Sequence, residues 1–292
     1  MALSLRGIQK KIESTQKTKQ ITSAMHMVAA SKLGKSETSN NAFVPYAEKI
    51  EEMVRHIVLS YGEHSHPILI PRRVKKIAYL VMTSDRGLAG PFNSQVLRKL
   101  ENLINERHRH KSEYTIIAIG RIGKEYFKNR NMPVLRSVTG LPDHPYFSDL
   151  EDLTYDTVQF FIDGEFDQLE LVYNYFYSAI SQEVVVKKIL PLITEAEVDE
   201  LRHEMHSPFL FEPNEDQILK TLLPQYAESL IYGAFLESKA SENASRMNAM
   251  RNATDNADNM ISDLRLQYNR ARQAQITQEL AEIVGGANAQ QG

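Results

Sequence analysis

Glycine and proline break helices, and in this chain of 292 residues they gather in the middle. Nine of the eleven prolines and seven of the thirteen glycines lie between residues 61 and 213. From residue 8 to 44 there is no proline and a single glycine, Gly34; from 225 to 284 there is no proline and again one glycine, Gly233. The chain therefore reads as a helical arm, a compact middle and a longer helical arm, with boundaries at 1–60, 61–212 and 213–292. At ~1.5 Å per residue, a helix over 214–285 would run to roughly 105 Å, a length no single globular core encloses.

Both arms carry the pattern of helices that pack lengthwise. In the carboxyl arm Met250, Thr254, Ala257, Ile261, Leu264, Tyr268, Ala271 and Gln275 recur at alternating steps of four and three. Upstream, Ile218, Leu219, Leu222, Leu223, Tyr226, Leu230 and Ile231 form a broader apolar stripe, with Pro224 marking either a start or a kink. In the amino arm Ile8, Ile12, Thr15, Thr18, Thr22, Met25, Ala29 and Leu33 keep a looser version of the same spacing, and Pro45 is expected to bend its far end. Small seam residues permit close approach but bury little area per turn. Two readings fit: a coiled-coil spacer, or a slender shaft that enters something else.

The middle alternates. Apolar runs at 77–82, 115–119 and 169–176 predict strands rich in β-branched and aromatic residues, and 183–192 predicts another. Helices are expected at 91–108, 121–130 and 149–162. This alternation predicts an α/β domain of Rossmann-like type, its parallel or mixed sheet covered by helices.

Composition excludes several classes. With no cysteine there are no disulfides, thiolate zinc sites, iron–sulfur clusters or cysteine nucleophiles. No segment approaches the ~18 consecutive apolar residues of a membrane span. The amino terminus lacks the apolar stretch of a secretory signal, and its cations are six lysines and one arginine, unlike an Arg-rich transit peptide. A mature protein on the cytosolic side is expected. The net charge of −3 divides unevenly: residues 1–35 carry +6 and the remainder −9. Nucleic acid is a poor explanation of that basic arm, which has no aromatic residue; an acidic helical partner explains it equally well.

Candidate sites in the middle are weak. The run Ser84-Asp85-Arg86-Gly87-Leu88-Ala89-Gly90-Pro91 turns from the first strand into a helix, where a phosphate could sit. It contains neither G-x-G-x-x-G nor G-x-x-x-x-G-K-[ST], and the second strand ends at Gly120-Arg121 rather than at an acid. A tight turn with Pro91 at the first helical position is favoured. His64-Ser65-His66, His108-Arg109-His110 and His203-x-x-His206 lack convergent carboxylates and are expected as solvated surface histidines. No cofactor, metal or catalytic residue is expected.

At the carboxyl end the chain reads Ile276-Thr277-Gln278-Glu279-Leu280-Ala281-Glu282-Ile283-Val284-Gly285-Gly286-Ala287. This resembles the signature of gamma subunits of F-type ATP synthases, I-T-x-E-x-x-[DE]-x-x-x-G-A. Tyr268-Asn269-Arg270-Ala271-Arg272-Gln273-Ala274, Ile21-Thr22-Ser23-Ala24-Met25-His26-Met27-Val28-Ala29-Ala30-Ser31-Lys32, Thr83-Ser84-Asp85-Arg86-Gly87-Leu88-Ala89-Gly90 and Ala253-Thr254-Asp255-Asn256-Ala257 are similar to the same family, in its order. One departure is Ala89-Gly90-Pro91, where the family more often has Cys or Val followed by Gly-Gly.

The resemblance implies an antiparallel two-helix coiled coil inserted into an α3β3 ring, above a Rossmann-like domain that binds no nucleotide. It implies a non-catalytic rotor shaft, one copy per complex. The shaft couples proton flow through the c-subunit ring to conformational cycling of the catalytic β subunits, and it regulates ATPase activity and proton flow. It further implies contacts with the α3β3 ring at Met25, Arg246, Arg272, Gln273, Thr277 and Glu279, and with the c ring and the epsilon subunit at Phe209, Leu210, Phe211 and Glu212. The amino-arm match begins so near Met1 that no transit peptide is expected, and the cysteine-bearing insertion of chloroplast relatives is missing; both point to a bacterial protein held peripherally at the cytoplasmic face of the plasma membrane. Two rivals are a nucleotide-using α/β enzyme with helical appendages and a self-associating coiled-coil adaptor.

Overall fold

The structure, a computed structural model, describes residues 4–60, 67–69, 72–192 and 215–291. A helix α1 spans Leu5–Ser60 and a final helix, α5, spans Glu215–Gln291. Pro45 and Pro224 both lie inside these helices, so Pro224 does not start one. Between them come β1 (Ile77–Met82), α2 (Phe92–Arg107), β2 (Tyr114–Ile119), α3 (Arg121–Asn129), β3 (Val134–Val138), α4 (Glu151–Ile162), β4 (Gln168–Phe176) and β5 (Gln182–Leu190). None of the described helices is long and apolar enough to cross a membrane. The chain divides into two compact units, one formed by Met1–Ala29 with Met247–Gly292 and the other by Ala30–Arg246.

The first unit is an antiparallel pair of helices. Thr22 and Thr254 share a hydroxyl hydrogen bond of 2.8 Å, Lys19 Nζ lies 2.6 Å from Asp258 Oδ1, and the Thr15 hydroxyl donates to Met260 Sδ at 3.8 Å. Ile8 and Ala29 of α1 and Met250, Ala257, Ile261 and Leu264 of α5 are buried along the seam. Thr18 corrects the sequence reading. It is exposed, its hydroxyl returned to the carbonyl of Ser14, and the half-buried place belongs to Lys19, which pairs across to Asp258. A pattern scored on apolarity misses a lysine whose stem lies along the seam while its ammonium finds an acid. The register also sets where the pairing ends. With Thr22 opposite Thr254 and Lys19 opposite Asp258, the start of α1 at Leu5 falls near Ala271, and residues 272–286 of α5 are all exposed, Gln275 included.

The second unit contains a five-stranded sheet of order β3-β2-β1-β4-β5, parallel except for β5, which runs antiparallel to β4. β3 was missing from the sequence expectation because Val134-Leu135-Arg136-Ser137-Val138 is short and half-polar, as befits an edge strand. Alternate residues of β1 feed two cores. Tyr79 and Val81 meet Val96, Leu100 and Phe127 of α2 and α3, while Ala78, Leu80 and Met82 meet Leu153 and Phe161 of α4 and the stretch of α5 from Leu222 to Leu236. That stretch of α5 is covered on the other side by α1, through Phe43, Ile50 and Val54. Gly233 is explained by this approach, since a Cβ there would lie 3.1 Å from the ring of Phe43. His108 corrects another expectation. It is not a solvated histidine: its Nε2 lies 2.8 Å from the Tyr79 hydroxyl, and burial lowers its pKa below the ordinary histidine value. His64, His66, His203 and His206 lie outside the described residues.

Gly120 closes the sheet's carboxyl edge. At φ +94, its missing Cβ would stand 2.1 Å from the carbonyl oxygen of Thr83, whose hydroxyl binds Ile119 and accepts the Gly123 amide. Gly120→Ala is therefore expected to cost at least ~2 kcal/mol. Gly140→Ala, also at positive φ but with nothing within 4 Å, should cost only the ~1 kcal/mol of backbone strain. Urea unfolding midpoints of the two variants check this, and equal shifts contradict the steric account.

Candidate functional site

In a doubly wound sheet the ligand crevice lies at the carboxyl ends of the strands, where the connections diverge to opposite sides. Here that point is between β1 and β4. The turn after β1 is organised by its own side chains: Asn93 accepts the Ser84 amide and donates to the Ser84 hydroxyl, which donates to the carbonyl of Arg86. Asp85 reaches sideways and accepts the amides of Arg121 and Gly140, tying together the loops after β1, β2 and β3. Gly90 (φ +55) and, unexpectedly, Leu88 (φ +63) take left-handed backbone, and Pro91 is the N-cap of α2, one residue ahead of the first helical position. The Asn174 amide at the end of β4 donates to the Phe92 carbonyl, and Ser241 of α5 donates to the Asn174 carbonyl at 3.0 Å. Asn174 and Ser241 are fully buried, so α5 packs directly on the carboxyl end of β4, while Arg86, Gly87, Leu88, Gly90 and Pro91 of the turn after β1 stay exposed. The small residues of this helix segment, Ser238, Ala240, Ser241 and Ala244, allow that close fit.

The carboxylate of Glu242 is the next feature along α5. It stands between two cations, 3.1 Å from Lys239 Nζ and 2.9 Å from Arg246 Nη2, and all three side chains are at most 14% exposed. The Arg246 guanidinium also donates to the Arg86 carbonyl at 3.3 Å. Arg246, which the family resemblance marks as a ring contact, is thus held by its own chain on two sides. Sequence reasoning passed over Glu242, although its i, i+4 spacing to Arg246 was visible.

In the first unit the proposed contacts form two groups. Met25 is half-buried on α1, one turn from Ala29, in the paired region. Arg272, Gln273, Thr277 and Glu279 lie on the stretch of α5 that passes beyond the start of α1, and all are exposed. Their polar groups are partly used within the helix: the Thr277 hydroxyl donates to the Gln273 carbonyl and Glu279 accepts the Gln275 amide, both at 2.9 Å. The same stretch exposes Ile276, Leu280, Ile283 and Val284, each between 47% and 68%. Helical geometry puts these four on one stripe, bordered by Arg272 and Glu279 on one side and by Thr277 on the other, with Gln273 in line with it one turn below. The stripe was legible in the sequence as the same i, i+4, i+7 spacing but was absorbed into the motif. Phe209, Leu210, Phe211 and Glu212 lie outside the described residues. Among the described residues no three His, Asp or Glu side chains come together as a metal site.

A family profile described as ATP synthase matches residues 4–290 of the chain. Among solved structures, the chain is similar to one from the Tetrahymena thermophila mitochondrial ATP synthase, central stalk and c-ring. The identity is 28% and the TM-score 0.61, over 80% of this chain and 99% of that one. It is similar in fold to a chain of the Euglena gracilis mitochondrial ATP synthase rotor, at 17% identity and TM-score 0.66 over 93% and 98% of the two chains. A chain from the Euglena gracilis OSCP/F1/c-ring assembly matches at 19% identity and TM-score 0.69, over 98% and 94%.

Removing the shared acid tests the ladder on α5. Glu242→Ala leaves Lys239 and Arg246 buried beside each other, and is expected to cost about 3 kcal/mol, with Glu242→Gln costing less. Thermal unfolding of the two variants against wild type measures it; unchanged midpoints contradict the arrangement.

Proposed function

The chain belongs to the gamma-subunit family of ATP synthases and is a rotor shaft of that machine; we propose that it works by presenting the unpaired end of α5 to a surrounding ring of catalytic subunits. Three parts share the task on this reading: an amino-terminal coiled-coil helix over 1–60, an α/β domain over 61–212 and a carboxyl-terminal helix over 213–292. The chain contributes no catalytic residue, and the chemistry belongs to β. One copy serves each α3β3 ring, and the epsilon subunit and the c ring join it through Phe209, Leu210, Phe211 and Glu212. The complex sits at the cytoplasmic face of a bacterial plasma membrane, this chain being attached only indirectly.

The observation that carries this reading is the bordered stripe beyond Ala271. A bare helix with four exposed apolar side chains is costly in water, and the natural remedy is a sleeve with an apolar lining. Apolar contact is non-directional, so the stripe can turn inside such a sleeve without being locked to one orientation. Direction comes from the polar side chains around it. Arg272, Gln273, Thr277 and Glu279 offer hydrogen bonds, which are directional and, where exposed to water, modest in net energy. Each can therefore form with one β subunit and break as the shaft moves to the next. A shaft that contacts the alternative states of β unequally shifts their populations, which is all that coupling requires. Met25 and Arg246 add contacts further from the tip. Packing of α5 against the carboxyl end of β4 supports a scaffolding role for the α/β domain.

Reconstituted complexes with Gln273→Leu, Glu279→Ala and Arg246→Ala are expected to assemble normally and to lose ATP synthesis in graded fashion, with larger losses in combination. Met25→Lys should retain ATP hydrolysis while pumping fewer protons per ATP. Full synthesis in the triple variant removes the tip contacts from the account.

A further inference from the structure

Glu228, on α5, is 8% exposed, and among the described residues no donor reaches its carboxyl. The charge that acts on it is a second carboxylate, Glu151 in the first turn of α4. Burial, reinforced by that neighbour, holds the Glu228 carboxyl above the ordinary carboxylate range. Among the described residues no cation stands with this carboxylate pair, an arrangement that a positive charge relieves.

The surface around this pair has matching character. Segment 44–52 of α1 carries Glu48, Glu51 and Glu52 against Lys49, which is itself bonded to Glu52. Segment 146–156 carries Asp149, Glu151, Asp152 and Asp156 and no cation, although Asp156 is taken by Arg136. An aromatic run brings the two segments together. Phe43 stacks on Tyr46 and on Tyr232 at 5.6 and 5.0 Å, Tyr232 stacks on Phe147 at 5.4 Å, and the Tyr232 hydroxyl donates to the Pro145 carbonyl. Two members of the run remain open to solvent, Tyr46 at 53% and Phe147 at 36%, and the same segment exposes Tyr146 at 77% and Tyr155 at 53%. Scattered exposed rings are ordinary, but four around one acidic face are not. Ring faces attract lysine and arginine independently of the carboxylates.

We propose that this face, formed by residues 44–52 of α1 and the start of α4, docks a lysine- or arginine-bearing protein segment of a neighbouring subunit, with one cation reaching Glu228 and Glu151. Other occupants fit less well. A second copy of this chain would set acid against acid across a two-fold axis. An anionic lipid surface is repelled for the same reason. A metal ion would find only two carboxyls, since among the described residues no third ligand joins them. None of the residues assigned to rotary coupling takes part, so the inference stands or falls apart from that assignment.

The test uses the assembled complex with a photo-crosslinking phenylalanine analogue in place of Tyr146. The expected product is a crosslink to one other subunit, within a segment that contains lysine or arginine. Glu151→Lys combined with Asp152→Lys supplies the cation from within the chain and repels the partner's, so the yield should fall about tenfold, as a loss of about 1.4 kcal/mol produces. If that pair of changes prevents assembly, Tyr155→Ala carries the same readout with an expected fall of several-fold. ATP-driven rotation, scored on the same samples, separates failure of this inference from failure of the shaft reading. A crosslink to a second copy, to lipid or to a segment without cations overturns the proposal, as does no crosslink or an undiminished yield in the variants.

Discussion

The segment of α5 from Leu222 to Ala244 is buried almost all the way round, between the sheet on one side and α1 on the other. An α-helix in that position has no solvent face to spare, and its composition changes along its length to suit each neighbour. Leu222, Leu223, Ile231 and Phe235 fill the core over α4 and the sheet. Gly233 gives way to Phe43. Ser238, Ala240, Ser241 and Ala244 shrink where the helix meets the carboxyl ends of the strands, and Ser241 completes the hydrogen bonds there by donating to Asn174. Here the chain's own helix packs against the carboxyl end of β4, beside the crevice where doubly wound folds receive ligands.

Charges follow the same logic of internal satisfaction. Glu242 is shared between Lys239 and Arg246, Glu170 at the other edge of the sheet receives Arg107 at 2.8 Å, and Asp85 is spent on two backbone amides. Buried charges that lack partners are expensive, and these are paired. Glu228 departs from the rule, which is why its surroundings bear on a partner.

Much of this was legible from residue order. The distribution of proline and glycine located the arms and the middle, and the four-and-three spacing from Met250 to Ala271 marked the seam that is observed. The runs at 77–82, 115–119 and 169–176 became β1, β2 and β4, because buried parallel strands are continuous apolar stretches. What escaped depended on long-range partners. Lys19 takes a seam position only because Asp258 lies across from it. His108 is held inward by Tyr79, 29 residues earlier. Gln275 keeps the spacing but has no helix to face, since α1 begins too late to reach it. At the tip, motif similarity named Arg272, Gln273, Thr277 and Glu279, whereas their relation to the stripe of Ile276, Leu280, Ile283 and Val284 emerges only where the pairing stops.

The central claim is that this chain turns as a shaft inside its complex. The absence of cysteine makes a direct test available, because a single introduced thiol labels one site. Lys99, exposed on α2 and outside every proposed contact, is a suitable position. With Lys99→Cys attached to a bead and the catalytic ring fixed to a surface, addition of ATP is predicted to give sustained rotation in one direction. A bead that stays still while the same complexes hydrolyse ATP would contradict the account.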